Sequence, residues 1–223
     1  MIKLLLSSLL IYFITIPAFS QESSVWKDYP NLGIMHYKVI LDDVPEEQNN
    51  YQNPQFELSK LTTTENKVIN SIKIRYNVKT DVMECRIGSQ HSIIKSPEKL
   101  KEININGKCF EYKKYLVKRD TTSGYLQKIY GSGQKIYAKY YISSTKSKLD
   151  FQKTKSYYLI QNKGELPKKL NSPSALLSRF YKNLIKQANE FEKNNQLNLK
   201  NPPDFEKLLT YLDHLNKDIV ASR

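Results

Sequence analysis

Between residues 68 and 160 apolar side chains recur at every second position, in short runs separated by turn residues, and that period confines the middle of the chain to β-sheet. In 71–79, Ile72, Ile74, Tyr76 and Val78 share one face while Lys73, Arg75, Asn77 and Lys79 share the other, as in a strand half buried and half wet. Beyond a turn near Thr80-Asp81 the pattern repeats at Met83, Cys85 and Ile87, then breaks at Gly88-Ser89. A short strand is predicted at 92–94, and another around Ile103 and Ile105 that ends at Asn106-Gly107. That dipeptide predicts a type I′ hairpin, because both residues tolerate the positive φ the turn requires.

The next strand, 109–118, carries Phe110 and Tyr112 in one phase and Tyr115 and Val117 in the other. The flip at Lys113-Lys114 predicts a β-bulge. After a turn at 120–123 and a strand at 124–130, Gly131-Ser132-Gly133 closes a second hairpin into 134–142. A phosphate-cradling loop would need a following helix and a Lys-Ser/Thr pair, and neither follows the triplet. A polar connector leads to a last strand at 157–161.

From Ser172 the period turns helical. Ser172 reads as N-cap, Pro173 as the first helical residue, and Leu177, Phe180, Leu184, Ala188 and Phe191 as an apolar stripe ending at Asn194-Asn195. Asn201-Pro202 opens a second helix with Phe205, Leu208, Leu209, Leu212 and Leu215 on one face. The expected fold is α+β: an antiparallel meander of seven or eight strands, curved or partly closed, with a C-terminal helical hairpin. The expected organisation is a signal at 1–20, an irregular segment at 21–67 in which 36–41 reads as one strand, the β domain at 68–170 and the hairpin at 171–217.

The first twenty residues hold one cation, Lys3, an apolar run over 4–16, and a small-residue exit, Pro17-Ala18-Phe19-Ser20. This is the layout of a cleavable export signal, with an apolar core shorter than the roughly 20 residues of a spanning helix. No cysteine follows the cleavage site, which argues against a lipid anchor, and no later apolar run is long enough to span. The expected location is the periplasm or the cell surface.

Export invites a disulfide between Cys85 and Cys109, the chain's two cysteines. Alternation disfavours it. Cys85 lies in phase with Met83 and Ile87, whereas Cys109 lies opposite Phe110 and Tyr112, and a bridge needs both Cβ vectors pointing together.

The net charge of +13 is unevenly placed. Residues 21–100 carry 10 basic and 11 acidic side chains, residues 101–170 carry 16 and 5, and residues 171–223 carry 8 and 6. The excess therefore lies on the second half of the strand region. Thirty of the 35 cations are Lys, a bias with a bland reading as a solvated, soluble surface. One row stands out against it. With Ile136, Ala138, Tyr140 and Ile142 facing the core, Lys135, Tyr137, Lys139 and Tyr141 must share the other face, and cations beside flat aromatic rings suit a polyanion or a glycan. The same row also reads as ordinary cross-strand pairing on an exposed sheet.

Catalytic signals are sparse. His36, His91 and His214 have no second ligand at metal spacing, and no Gly-x-Ser-x-Gly elbow or cofactor loop occurs. Asp81 and Glu84 stand three apart and invite an acid-base reading, but a turn Asp and an exposed strand Glu account for them.

Arg75-Tyr76-Asn77 with Asp81 and Glu84, Gly107-Lys108 with Phe110 and Tyr112, Gly124-Tyr125 with Gly133 and Lys139, and the terminal helices together make a pattern over residues 70–216. It resembles a loosely defined group of exported proteins of unknown function from double-membraned bacteria. The resemblance implies a periplasmic or surface location and no assigned chemistry, so no residue takes a role from it. The expectation is an exported, non-enzymatic binding or scaffolding protein of the envelope, contacting an anionic polysaccharide or an envelope protein rather than nucleic acid, with no cofactor. The alternatives are an enzyme whose residues meet only in the fold, and a subunit of an envelope assembly.

Overall fold

The computed structural model describes residues 34–37, 50–87, 90–132, 134–143 and 153–221. The predicted export signal, residues 1–20, lies outside them. Eleven strands among the described residues form one sheet. They are β1 (Ile34–Tyr37), β2 (Glu57–Thr63), β3 (Val68–Asn77), β4 (Val82–Ile87), β5 (Gln90–Ile94), β6 (Leu100–Ile105), β7 (Lys108–Val117), β8 (Asp120–Ser132), β9 (Gln134–Ser143), β10 (Lys153–Gln161) and β11 (Lys168–Lys169). Three helices follow, α1 (Pro173–Phe180), α2 (Ile185–Asn194) and α3 (Pro202–Ala221), giving the α+β fold that the periodicity predicts. None of them is long and apolar enough to cross a membrane.

The sheet order is β1-β5-β4-β3-β2-β6-β7-β11-β10-β9-β8, and β7 also pairs with β8. That second pairing closes β7, β8, β9, β10 and β11 into a five-stranded ring. The closing element is small. Lys168 pairs with Leu116 in parallel, the Leu116 N–H donates to Pro167 O at 2.8 Å, and Lys169 pairs with Leu159 on the other side. All other strand pairs are antiparallel, and short turns join consecutive ones such as β3–β4, β6–β7 and β7–β8.

Ring closure divides the apolar side chains between two cores. Tyr115, Leu126, Tyr137 and Leu159, one from each long strand of the ring, pack against one another inside it. The larger core lies on the other sheet face, where Ile72, Ile74, Tyr76, Met83, Ile103, Phe110, Ala138 and Tyr158 meet Leu176, Leu177, Leu184, Phe205, Leu208 and Leu212 of the helical region. Burying one such side chain stabilises the fold by about 1.5–3 kcal/mol. The stripes that predict the helices are the ones that pack: Phe205, Leu208, Leu209 and Leu212 are fully buried, and the Phe205 ring sits 4.7 Å from that of Tyr158.

Local expectations hold at several points. Asn106 and Gly107 take φ of 47° and 82° between Ile105 and Lys108, the backbone of a type I′ hairpin. β8 and β9 pair as a hairpin up to Gly131–Lys135 and Ser132–Gln134; Gly133 of the predicted turn lies outside the described residues. Ser172 Oγ accepts from the Ala175 N–H at 3.1 Å, capping α1.

Four expectations are corrected. First, β7 carries no bulge: its register with β8 runs unbroken from Cys109–Lys128 to Val117–Asp120. The phase flip arises because Phe110 faces the helical core while Tyr115 faces the ring interior. Second, segment 21–67 is not irregular throughout, since it supplies β1 and the interior strand β2. The buried face of β2 is Ser59, Leu61 and Thr63, with Leu58 on the exposed side, so apolar alternation never signals the strand. Third, the predicted first helix is two, because Tyr181 leaves helical geometry (φ −126°, ψ 33°) and a 3-10 turn at Lys182–Leu184 precedes α2. Fourth, the wet faces expected of the second half of the sheet are partly interior, with consequences for the site.

Candidate functional site

The row Lys135, Tyr137, Lys139 and Tyr141 does share one face of β9, but that face lines the ring. Tyr137 is fully buried and Lys139 is 7% exposed, and among the four Lys135 and Tyr141 alone reach solvent. The alternation is right and the wet surface is not, because two faces of a strand look alike in sequence until the sheet curls.

At one end of the ring Lys139 Nζ meets Asp81 Oδ1 at 2.6 Å. Asp81 sits in the β3–β4 turn at φ 55°, and its Oδ1 also accepts from the Tyr76 hydroxyl at 2.5 Å. Lys139 Nζ donates to Tyr76 Oη at 3.2 Å and to Tyr125 O at 3.3 Å. Gly124 makes room: a Cβ there would collide with the Asp81 carboxylate and lie 2.8 Å from Lys139 Nζ. Burial lowers the Lys139 pKa, and the Asp81 charge offsets part of that shift.

The second carboxylate of the acid-base reading is elsewhere. Glu84 is buried, not exposed; its Oε2 accepts from Arg75 Nε at 2.8 Å and its Oε1 from Asn77 Nδ2 at 2.9 Å. The Arg75 guanidinium lies 4.0 Å from the Tyr51 ring centroid and 4.4 Å from that of Phe56, and it donates to Pro54 O. This face of β3 was expected wet; segment 51–56 covers it. Asp81 and Glu84 thus serve separate cations and do not converge. Tyr76 also packs against Phe110 and Tyr125, which places an aromatic contact beside the two ionic clusters.

Cys85 and Cys109 are free thiols on different faces. The Cys85 thiol donates to Ser92 O at 3.5 Å, and that of Cys109 lies 3.6 Å from Glu102 Oε2. Burial pushes the Cys85 pKa up to about 12 and that of Cys109 up to about 11. His91 packs 5.1 Å from Phe56, and His214 is exposed on α3. Among the described residues no three His, Cys, Asp or Glu side chains are placed to hold a metal ion.

The opposite end of the ring is open and basic. Lys113, Lys135 and Lys163 line a cavity of about 240 Å³ with Gln161, Asn162 and Gly164. Glu111 stands beneath it, 2.9 Å from Lys113 Nζ and 3.8 Å from Lys128 Nζ, and accepts from the Tyr137 hydroxyl at 3.1 Å. One carboxylate therefore faces two cations, and Lys135 and Lys163 add exposed charge with no ion pair among the described residues. Compared with known proteins, the chain matches no family model, no curated protein and no solved structure. What the site does is argued from its own geometry.

Of the four candidate binding residues, Lys135, Tyr137, Lys139 and Tyr141, Lys135 alone belongs to this cavity. Lys113 and Lys163 come from β7 and the turn after β10, and no spacing pairs residues that far apart before the ring closes. The one legible signal is the regional charge excess of residues 101–170, which contains all three.

Proposed function

We propose that the protein is an exported binding or scaffolding protein of the bacterial envelope, and that it holds an anionic polymer at the lysine-lined end of the β7–β11 ring. The export reading rests on Lys3 and the apolar run that follows it. The binding reading rests on one observation: Lys113, Lys135 and Lys163 surround a concave opening in which cationic charge outweighs the single carboxylate beneath it. A concave site with low-dielectric walls concentrates field more than the same charges on a flat face. Lys139, by contrast, is buried against Asp81 and contributes no free charge to a ligand. The proposed binding site therefore lies at the Lys135 end of β9 and not at the middle of the Lys-Tyr row.

The test is retention on a heparin-type column as a function of salt. Replacing Lys135 and Lys163 by Gln lowers the salt needed for elution more than replacing two exposed lysines of the helices, Lys193 and Lys207. Equal elution of the two double variants overturns the reading.

A further inference from the structure

We infer that the polymer is a polysaccharide, because a second cavity suited to a neutral sugar ring shares a wall with the basic one. This inference rests on the binding reading above and names its ligand class. The second cavity, of about 210 Å³, opens between the β8–β9 hairpin and the helices, and the break in the helix at Tyr181 forms one side of it. Tyr130, Phe180 and Tyr181 supply aromatic rings, and Gln134, Asp213 and Asn216 supply polar groups. The volume falls below the roughly 300–1,000 Å³ of sites for larger ligands and suits a single ring.

The composition of this lining selects among ligands. A sugar ring has an apolar C–H face that lies on an aromatic ring and an edge of hydroxyls that both donate and accept. Asp213 accepts only, Gln134 and Asn216 do both, and the Tyr181 hydroxyl already donates to Asp213 Oδ1 at 3.3 Å. A wholly apolar ligand would strip water from the Asn216 amide without replacing its hydrogen bonds, a penalty that a polyhydroxylated ring does not meet.

Position joins the two cavities. Gln134, in the aromatic cavity, donates through Nε2 to Oδ1 of Asn162, in the lysine cavity, at 3.1 Å. One pair of side chains is thus the partition between a place for a ring and a place for a negative group. A chain of sugars bearing carboxylate, sulfate or phosphate groups presents that alternation, and inorganic polyphosphate presents the charge without the ring.

The experiment compares binding of polygalacturonate and of inorganic polyphosphate by the full chain carrying Phe180→Ala, Asn216→Ala, or Lys135→Gln with Lys163→Gln. Asn216 is exposed on α3, so its variant keeps the test valid should Phe180→Ala fail to fold. The expected result is about a tenfold loss for polygalacturonate in the first two variants with polyphosphate unchanged, and a loss for both probes in the lysine variant. Folded Phe180 and Asn216 variants that bind polygalacturonate as the parent does, or that lose both probes equally, overturn the sugar inference alone. Unchanged binding of both probes by the lysine variant overturns the basic-cavity reading instead.

Discussion

Gly124 and Asp81 are matched: the carboxylate of Asp81 occupies the space that any side chain at position 124 would need, and from there it reaches Lys139 inside the ring. A turn between β3 and β4 is thereby fastened to β8 and β9. Gly124→Ala forces the carboxylate aside and costs about 1–3 kcal/mol, read as a shift in the urea unfolding midpoint.

The two partners of that ion pair are not equivalent. Lys139 has a side chain 8% exposed, whereas Asp81 is 29% exposed and can take up water. Asp81→Asn leaves a buried ammonium without its counter-charge and costs about 2–3 kcal/mol. Lys139→Met fills the same apolar space near Tyr115 and costs about 1 kcal/mol or less. The reverse order in equilibrium unfolding would show that the aspartate, not the lysine, is the stranded group.

Two neighbouring tyrosines are expected to differ in the same assay. The Tyr76 hydroxyl bonds Asp81 and Lys139, so Tyr76→Phe costs about 1.5–3 kcal/mol. The Tyr125 hydroxyl is buried with no hydrogen-bond partner among the described residues, so Tyr125→Phe is neutral or stabilises by about 1 kcal/mol. Equal losses in the two variants would contradict this account.

Alkaline pH should unfold the protein cooperatively. Burial raises the hydroxyl pKa of Tyr76, Tyr125, Tyr137, Tyr140 and Tyr158 above the ordinary 10.0. Above pH 10 the unfolded chain releases tyrosyl protons that the folded chain retains, so stability present below pH 10 is lost as pH rises. Lys139 has the opposite sign, because its folded pKa is lowered from 10.5 and its contribution grows with pH up to that value. One lysine is outweighed by several tyrosines. Tyrosinate absorbance should therefore rise together with the loss of circular dichroism; a gradual rise in a protein that stays folded would be inconsistent with this.

The thiols give a simple count. Unfolded, unreduced protein should show two reactive thiols, whereas the folded protein should react slowly, because burial suppresses both thiolates. Mass spectrometry after alkylation distinguishes the states, and an intact disulfide would exclude the free pair.

Much of the fold is written in local pattern. Alternation at Ile72, Ile74 and Tyr76, the turn at Asn106-Gly107 and the stripe from Phe205 to Leu212 each depend on neighbours a few residues away, and each is found as the periodicity predicts. β2 escaped because its buried face is mostly polar, and its order was imposed by β3 and β6 on either side. Of the candidate site, Lys135 and the positive charge of the region around it were legible. Period-two alternation states that a strand has two faces without stating which of them meets another layer. That choice was made by tertiary contacts: the Lys168–Leu116 pair closed the ring and turned Tyr137 and Lys139 inward, while segment 51–56 covered Arg75 and Glu84. Contacts between residues tens of positions apart carry no periodic trace, so the chain alone determined its strands and helices, and the closed sheet decided which of its charges remained free.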